Sequence, residues 1–391
     1  WIKWMELWKS DGSAAGTVML KDINSGSNGS QPYYLTAIGS TLYFRAYDGT
    51  HGYELWKSDG TESGTVMVKD INNGSNESRP EYLTAIGSTL YFTADDGANG
   101  CELWKSDGSA VGTVLVKDIQ NGTSGWGPRE LMVVGSTLYF TANFKEGVNG
   151  YELWKSDGTA AGTVMVKDIN SGNSVQMVTY SLTGMGSTLY FTADDGANGW
   201  ELWKSNGTAA GTVMVKDINS GSNGSYAQSF VSVGSMMYFT AYDEVSGYEL
   251  WKSDGSAAGT VMLKDINSGS IGSMRGNLTA IGSTLYFTAN DGVNGDDLWK
   301  SDGSAAGTVM VKDINSGVIA SSQYNLIVMG STFYFSATDG VNGCELWKSD
   351  GTAAGTGMVK DIRNDINEWG PLELTVMGST LYFRANDGVN G

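Results

Sequence analysis

Histidine is almost missing from this chain: 391 residues contain one, His51. That count excludes a catalytic metal held by histidines. A Ser–His or Cys–His pair could be built only around His51, a loop residue with no nucleophile motif beside it. Cysteine is limited to Cys101 and Cys344, each standing directly before a repeated Glu-Leu-Trp triplet. In a ring of repeats the two are too far apart to bond to each other. They read as small, partly buried thiols, with an intermolecular disulfide as the alternative. Proline occurs four times against 55 glycines, and no apolar run approaches membrane-spanning length. Membrane insertion is therefore not expected. No signal peptide is visible and the chain opens on Trp1, so it reads as a mature or partial chain. Basic residues are few: 16 of the 24 Lys and Arg are two lysines in each of eight repeats. With no basic stripe, nucleic acid is excluded as a partner. The net charge of −18 suits cations or basic partners instead.

What the chain does have is a period. Tryptophan recurs at 8, 56, 104, 154, 203, 251, 299 and 347, in steps of 48 to 50 residues. A fixed spacing in this range marks a repeat architecture. The second full unit predicts strand A at 83–86, strand B at 89–94, strand C at 101–106 and strand D at 113–119. Gly87-Ser88 between A and B has glycine where a type II′ hairpin needs it. Four strands in about 48 residues is the size of a propeller blade. The chain starts at strand C and stops after strand B. The expectation is one all-β domain, 1–391: a closed eight-bladed β-propeller of four-stranded antiparallel blades, 32 strands in all. The closing blade would be shared by 1–23 and 374–391, with N-terminal strands C and D pairing with C-terminal strands A and B. The lysine of strand D reads as protection of an outer sheet edge.

Repeats compared within the chain separate two faces. The A–B turn is Gly-Ser throughout, and the C–D turn is nearly constant as SDG[ST]xxGT. The D–A segments differ from repeat to repeat, and the B–C loops hold most of the surplus acid. Specific binding is therefore expected on the D–A/B–C face. The candidate ligand-binding residues are its aromatics, Tyr33, Tyr34, Trp126, Tyr180, Tyr226, Tyr324 and Trp369. Such rings either stack on sugars or pack loops against blade edges. Two readings stay open for the DDGxNG loops at Asp95, Asp96, Asn99 and at Asp194, Asp195, Asn198: a solvated polar turn, or a Ca²⁺ site of closely spaced oxygens. The aspartate of SDG reads as turn chemistry, because Asn206 replaces it in one repeat and keeps the turn. The invariant tryptophan, and the aspartate of KDI, read as partners in blade-stabilising hydrogen bonds. No acidic pair stands out from the repeat pattern, so no catalytic residues are predicted and the chain is not expected to be an enzyme. The N-x-[ST] triplets matter only in a eukaryotic secretory setting.

The run ELWKSDGTAAGTVMVKDIN followed by GSTLYFTADDGxNG resembles the ELWxxDGT repeat family. ELWKSDG is intact from Glu6, Glu54, Glu102, Glu152, Glu249 and Glu345, and departs only at Asn206 and Asp297. The resemblance covers nearly the whole chain. It implies a propeller-like repeat of large secreted or surface-associated bacterial proteins, and carries no catalytic residues. The expected function is thus a non-enzymatic extracellular binding or adhesion module with a protein or glycan partner. The alternatives are a self-assembling structural subunit of a surface layer or filament, and a calcium-assisted lectin.

Overall fold

The computed structural model describes residues 7–9, 18–25, 29–120, 122, 127–143, 150–170, 182–273, 278–315, 324–360, 372–377 and 380–384. In it the second repeat forms strands Glu81–Ile86, Thr89–Asp95, Cys101–Ser106 and Val114–Lys117, hydrogen-bonded in sequence order. Ile86 faces Thr89 across Gly87-Ser88, and Gly87 has φ +60°. Glycine is needed there because a Cβ disfavours that region. Strand D is shorter than predicted because the aspartate and isoleucine of KDI leave the sheet to begin the next linker.

Thirty-two strands are present among the described residues. They form seven antiparallel four-stranded sheets, at 33–69, 81–117, 129–167, 183–216, 228–264, 279–312 and 324–360, numbered 1 to 7 below. Strands 7–9 with 18–21, and 372–377 with 380–384, form two further sheets of two strands each. The expected count of eight blades is therefore corrected to seven complete ones. The eighth rested on arithmetic along the chain, whereas a sheet needs pairing, and the two end hairpins are separate sheets. The all-β class and the four-stranded antiparallel blades stand and are consistent with a β-propeller, with no helix among the described residues. Among the described residues no helix is long and apolar enough to cross a membrane.

Two compact units are distinguished, Trp1–Gly196 with Ser205–Val213, and Ala197–Lys204 with Met214–Gly391. In the first, Tyr43, Leu55 and Val68 of sheet 1 pack with Leu90, Phe92 and Trp104 of sheet 2. Tyr91, Leu103 and Val116 repeat that contact toward Phe140 and Trp154 of sheet 3. In the second unit, Tyr238, Leu250 and Leu263 meet Phe287 and Trp299, and Tyr286, Leu298 and Val311 meet Phe335 and Trp347. Each of these core layers thus lies between two consecutive sheets. This explains why strands B and C are apolar on both faces.

The repeated lysines have another role than edge protection. Lys69 Nζ donates to Thr113 O in the next sheet at 2.8 Å and lies 5.7 Å from the centre of the Trp104 ring. Lys117 does the same to Thr163 O and Trp154, and Lys264 to Thr308 O and Trp299. The lysine of strand C reaches the same turn: Lys57 donates to Gly108 O, Lys105 to Gly158 O and Lys252 to Gly303 O, each at 2.8 Å. These skeletal lysines thus belong to a stitching pattern between neighbours, not to a cationic surface. A charged hydrogen bond with a cation–π contact contributes about 1.5–3 kcal/mol. Lys69→Met is expected to cost that much in denaturant unfolding, with no change in the far-UV spectrum.

The invariant tryptophan also departs from expectation. The indole N–H groups of Trp56, Trp104, Trp154, Trp251, Trp299 and Trp347 are buried without a protein acceptor. Their contribution is packing and a ring face for the preceding sheet's lysine. In the KDI aspartate, one Asp70 oxygen accepts from Gly74 N at 3.1 Å while the other is buried with no protein donor. The hydrogen-bond centre of the repeat is the glutamate of ELW.

Candidate functional site

Glu54 lies in the middle of a strand, yet is fully buried. Its carboxylate accepts from Ile71 N (3.0 Å), Ser78 N (3.1 Å) and Ser78 Oγ (2.6 Å). Ile71 and Ser78 begin and end the D–A segment between sheets 1 and 2. Glu201 holds Ile218, Asn219 and Ser225 in the same way, and Glu249 holds Ile266 and Ser273. Glu102 takes Ile119 N and Gln120 N, Glu152 takes Ile169 N, and the shorter Asp297 takes Ile314 N. Burial pushes the carboxyls of Glu54, Glu102, Glu152 and Glu201 up to about 7 and that of Glu249 to about 6, against the lowering effect of these donors. A scaffold acid therefore fixes the base of each of these variable linkers.

The linkers before sheets 1, 2 and 5 share one backbone course. Asn72 Nδ2 donates to Glu77 O, and Ser78 O accepts from Asp95 N at the end of strand B. Arg79 N then donates to Tyr53 O at 3.0 Å with φ +46°. The equivalent residues Gln31 and Tyr226 have φ +45° and +48°. Three residues on, Tyr34, Tyr82, Glu130 and Ser229 have φ between +54° and +58°, at a bulge where strand A slips register against strand B. Non-glycine residues in this region cost of order 1–3 kcal/mol each, and such strain gathers at functional surfaces. All four prolines, Pro32, Pro80, Pro128 and Pro371, stand directly before strand A.

At the D–A/B–C end of sheet 2 these segments enclose an open cleft of about 920 Å³. Glu77, Arg79, Glu81 and Asp95 line it, with Arg129 from sheet 3. Tyr82, Cys101 and Pro128 supply its apolar surface. Arg79 is 69% exposed and donates Nε to Glu77 Oε2 at 2.6 Å. Glu81 accepts from Arg45 Nη1 at 2.7 Å, and that guanidinium lies 5.0–5.4 Å from the rings of Tyr33, Tyr34 and Tyr53. The Arg129 guanidinium lies 5.0 Å from the Tyr151 ring. Burial pushes the Cys101 thiol up to about 11, which removes it as a thiolate nucleophile near neutral pH. A smaller cavity of about 370 Å³ occupies the corresponding place one repeat earlier, lined by Gln31, Tyr47, Tyr53 and Glu77.

Of the aromatic candidates, Tyr33, Tyr34 and Tyr226 are exposed on the expected linkers. Tyr33 and Tyr34 stack on Arg45, and Tyr34 lies 6.2 Å from Tyr82 in the cleft. Tyr226 belongs to the second unit. Trp126, Tyr180 and Trp369 fall outside the described residues, as does the Tyr324 side chain. The arginines were missed as candidates, although all of them lie outside the lysine skeleton.

In the DDGxNG loop, Asp95 Oδ1 accepts from Gly97 N, and Asp96 accepts from Ala98 N, Asn99 N and Asn99 Nδ2 at 2.7–2.9 Å. Partial burial raises the Asp96 carboxyl, but these donors outweigh it and hold it below the usual range. Asp194 accepts from Gly196 N at 2.7 Å, and Asp195 and Asn198 occupy the positions of Asp96 and Asn99. The loop oxygens thus serve its own donors. No group of three or more His, Cys, Asp or Glu is placed to hold a metal among the described residues. His51 stands where the loop asparagine stands elsewhere. Its N–H and Nδ1 both engage Asp48, as Asn99 engages Asp96. The lone histidine is a variant turn residue.

In the SDG turn, Asp59 Oδ1 accepts from Thr61 N and Oγ1, and Asn206 Oδ1 accepts the same two groups from Thr208. The amide oxygen of Asn206 thus keeps both turn bonds. Asp59→Asn and Asn206→Asp are each expected to change unfolding free energy by no more than about 0.5 kcal/mol, with or without a calcium chelator.

No family model matches the chain, and no curated protein matches it. Solved structures do. A puromycin hydrolase is 14% identical with a TM-score of 0.48, over 96% of this chain and 60% of its own. Two prolyl endopeptidases are represented by a structure 11% identical with a TM-score of 0.49, over 84% and 49%. A puromycin-hydrolyzing peptidase of Mycobacterium tuberculosis is 11% identical with a TM-score of 0.47, over 90% and 55%. The chain spans about half to three fifths of the length of these structures. The expectation of an adhesion, lectin or surface-layer module is corrected on this finding: the similar structures are puromycin hydrolases and prolyl peptidases. At such identities no residue role passes to this chain.

Proposed function

We propose that this chain is a peptide-recognition β-propeller, the binding part of a peptide-processing protein, with its ligand seated in the cleft of sheet 2. The observation that supports this reading is the cleft itself. Its volume of about 920 Å³ accommodates several peptide residues. Arginines, carboxylates, a phenol and prolyl and thiol surface stand side by side there, which suits a chain whose side chains alternate in chemistry. Strained linkers held from below by Glu54 and Glu102 keep these groups in place, so little ordering cost falls on binding. The recognition role, without chemistry of its own, is supported by a histidine committed to a turn and a thiol kept protonated by burial.

Short peptides in a fluorescence-anisotropy library are the test. Some are expected to bind with saturable curves, and Tyr82→Ala is expected to weaken them while the melting temperature changes by only a few degrees. A library without a single saturable binder would end the proposal. So would binders insensitive to every substitution in the cleft.

A further inference from the structure

Eight basic residues lie outside the lysine skeleton, and three of them, Arg45, Arg79 and Arg129, have described side chains. All three gather at one place in a chain of net charge −18. Arg79 and Arg129 line the cleft, and Arg45 holds Glu81 on its wall. That ion pair is spoken for: Glu81 faces Arg45, whose guanidinium is packed among three tyrosines. Arg79 differs. Glu77 takes its Nε edge, while the side chain remains 69% exposed and its terminal nitrogens have no protein partner. Those nitrogens form the fork that receives a carboxylate through two parallel hydrogen bonds.

The linkers before sheets 1, 2 and 5 share a backbone while their side chains differ; before sheet 3, Gly127 stands in the place of Arg79 without the left-handed φ. The left-handed linker position holds Gln31, Arg79 or Tyr226, and the first strand-A residue holds Tyr33, Glu81, Arg129 or Gln228. Only at this cleft does an arginine from one linker meet an arginine opening the next sheet, among the described residues. The smaller neighbouring cavity has Gln31 in the linker place, and Gln31 Oε1 already accepts from the Tyr53 hydroxyl. Glu77, Glu81 and Asp95 at the same cleft offset the three arginines, so selection rests on the open guanidinium fork of Arg79 and not on a net positive field.

From this we infer that the cleft selects peptides by a carboxylate, of an acidic side chain or of the chain terminus, received by Arg79 with Arg129 as the second cation. The inference rests on the peptide reading above and deepens it.

The test titrates the full chain with four labelled peptides of equal length. One is neutral and capped at both ends, one is capped with an internal glutamate, one is neutral with a free C-terminal carboxylate, and one is capped with an internal lysine. One or both carboxylate peptides are expected to bind at least about tenfold tighter than the neutral capped peptide, and which of them does so names the source of the carboxylate. Arg79→Ala should remove that advantage and Arg129→Ala should reduce it. The readout is the ratio of carboxylate-peptide to neutral-peptide affinity in each variant, and unchanged melting curves would exclude misfolding. Equal binding of all four peptides would overturn the carboxylate inference and leave the peptide reading intact. An advantage that survives in both variants would overturn it too. Absence of binding by all four, and by the wider library, would overturn both.

Discussion

Acidifying the solution from pH 8 to about 5.5 is expected to raise the melting temperature of this chain by several degrees. The cause is the buried glutamate of strand C. In the unfolded chain these carboxyls titrate near 4.5, whereas in the fold Glu54, Glu102, Glu152 and Glu201 titrate near 7 and Glu249 near 6. Between those limits the folded state binds more protons than the unfolded one. Stability therefore falls as pH rises through this window, and the contribution is fully present only below about 4.5. A tenfold difference in proton affinity between folded and unfolded chain is worth about 1.4 kcal/mol for each group. Even if relaxation and the surrounding donors reduce that severalfold, five groups titrating together leave a net effect of a few kcal/mol. The turn aspartates oppose it at lower pH. Asp107, Asp157, Asp254, Asp302 and Asp350 are held low chiefly by hydroxyl and amide donors of their own turns, so their contribution is lost as pH falls below about 4. Stability should pass through a maximum near pH 5. Calorimetry from pH 3 to 8 measures the curve, and a melting temperature that climbs steadily toward pH 8 would sink the assignment. Glu201→Gln should flatten the neutral limb in proportion to the one group removed.

Much of the fold was legible because it is local. Gly-Ser at 87–88 can make only a tight reversal. Thr89–Asp95 and Cys101–Ser106 follow within one residue of their predicted limits, and Leu, Phe and Trp at their centres require burial on both faces. The blade count was not legible in the same way. It depends on whether segments at opposite ends of the chain pair, and no local pattern encodes that. Charge was misread for a similar reason. Lys69 looks like an exposed edge residue in a strand of alternating pattern, and only the neighbouring sheet reveals Thr113 O and the Trp104 face.

The candidate site was legible as a face and not as residues. Variation of the D–A segments located it. Aromatic content then drew attention to Tyr33 and Tyr34, which hold Arg45, and away from Arg79 and Arg129, which line the cleft. A signal for the linker geometry was available. Ser30, Ser78 and Ser225 each stand three residues before strand A, and every proline stands one residue before it. The glutamate that receives Ser78 and Ser225 was hidden by its setting, because a charged residue inside ELW resembles a solvent-facing position until the returning linker covers it.

Glu54→Ala is the substitution with the largest expected effect. The change leaves Ile71 N and Ser78 N without their acceptor in a buried place, while Ser78 Oγ keeps only its longer bond to Tyr53 O at 3.2 Å. An unsatisfied buried donor costs about 1–3 kcal/mol, so a loss of about 3–5 kcal/mol is expected after partial relaxation. The functional consequence is local. Ser78 is the residue before Arg79, and the left-handed turn at Arg79 is sustained by that anchor and by Tyr53 O. Once the anchor is lost, the strain at Arg79 is released and the guanidinium leaves the cleft wall. Glu249→Ala is the matched control: it frees Ser273 and Ile266 in the second unit and should cost a similar stability. At a temperature where both variants are folded, Glu54→Ala should weaken binding of the tightest library peptide by at least about tenfold, and Glu249→Ala should leave it within about twofold. Denaturant unfolding and anisotropy on the same samples separate the two effects. Equal loss of binding in both variants would mean that the cleft feels global stability alone. Retained binding in Glu54→Ala would mean that Arg79 does not need its anchor.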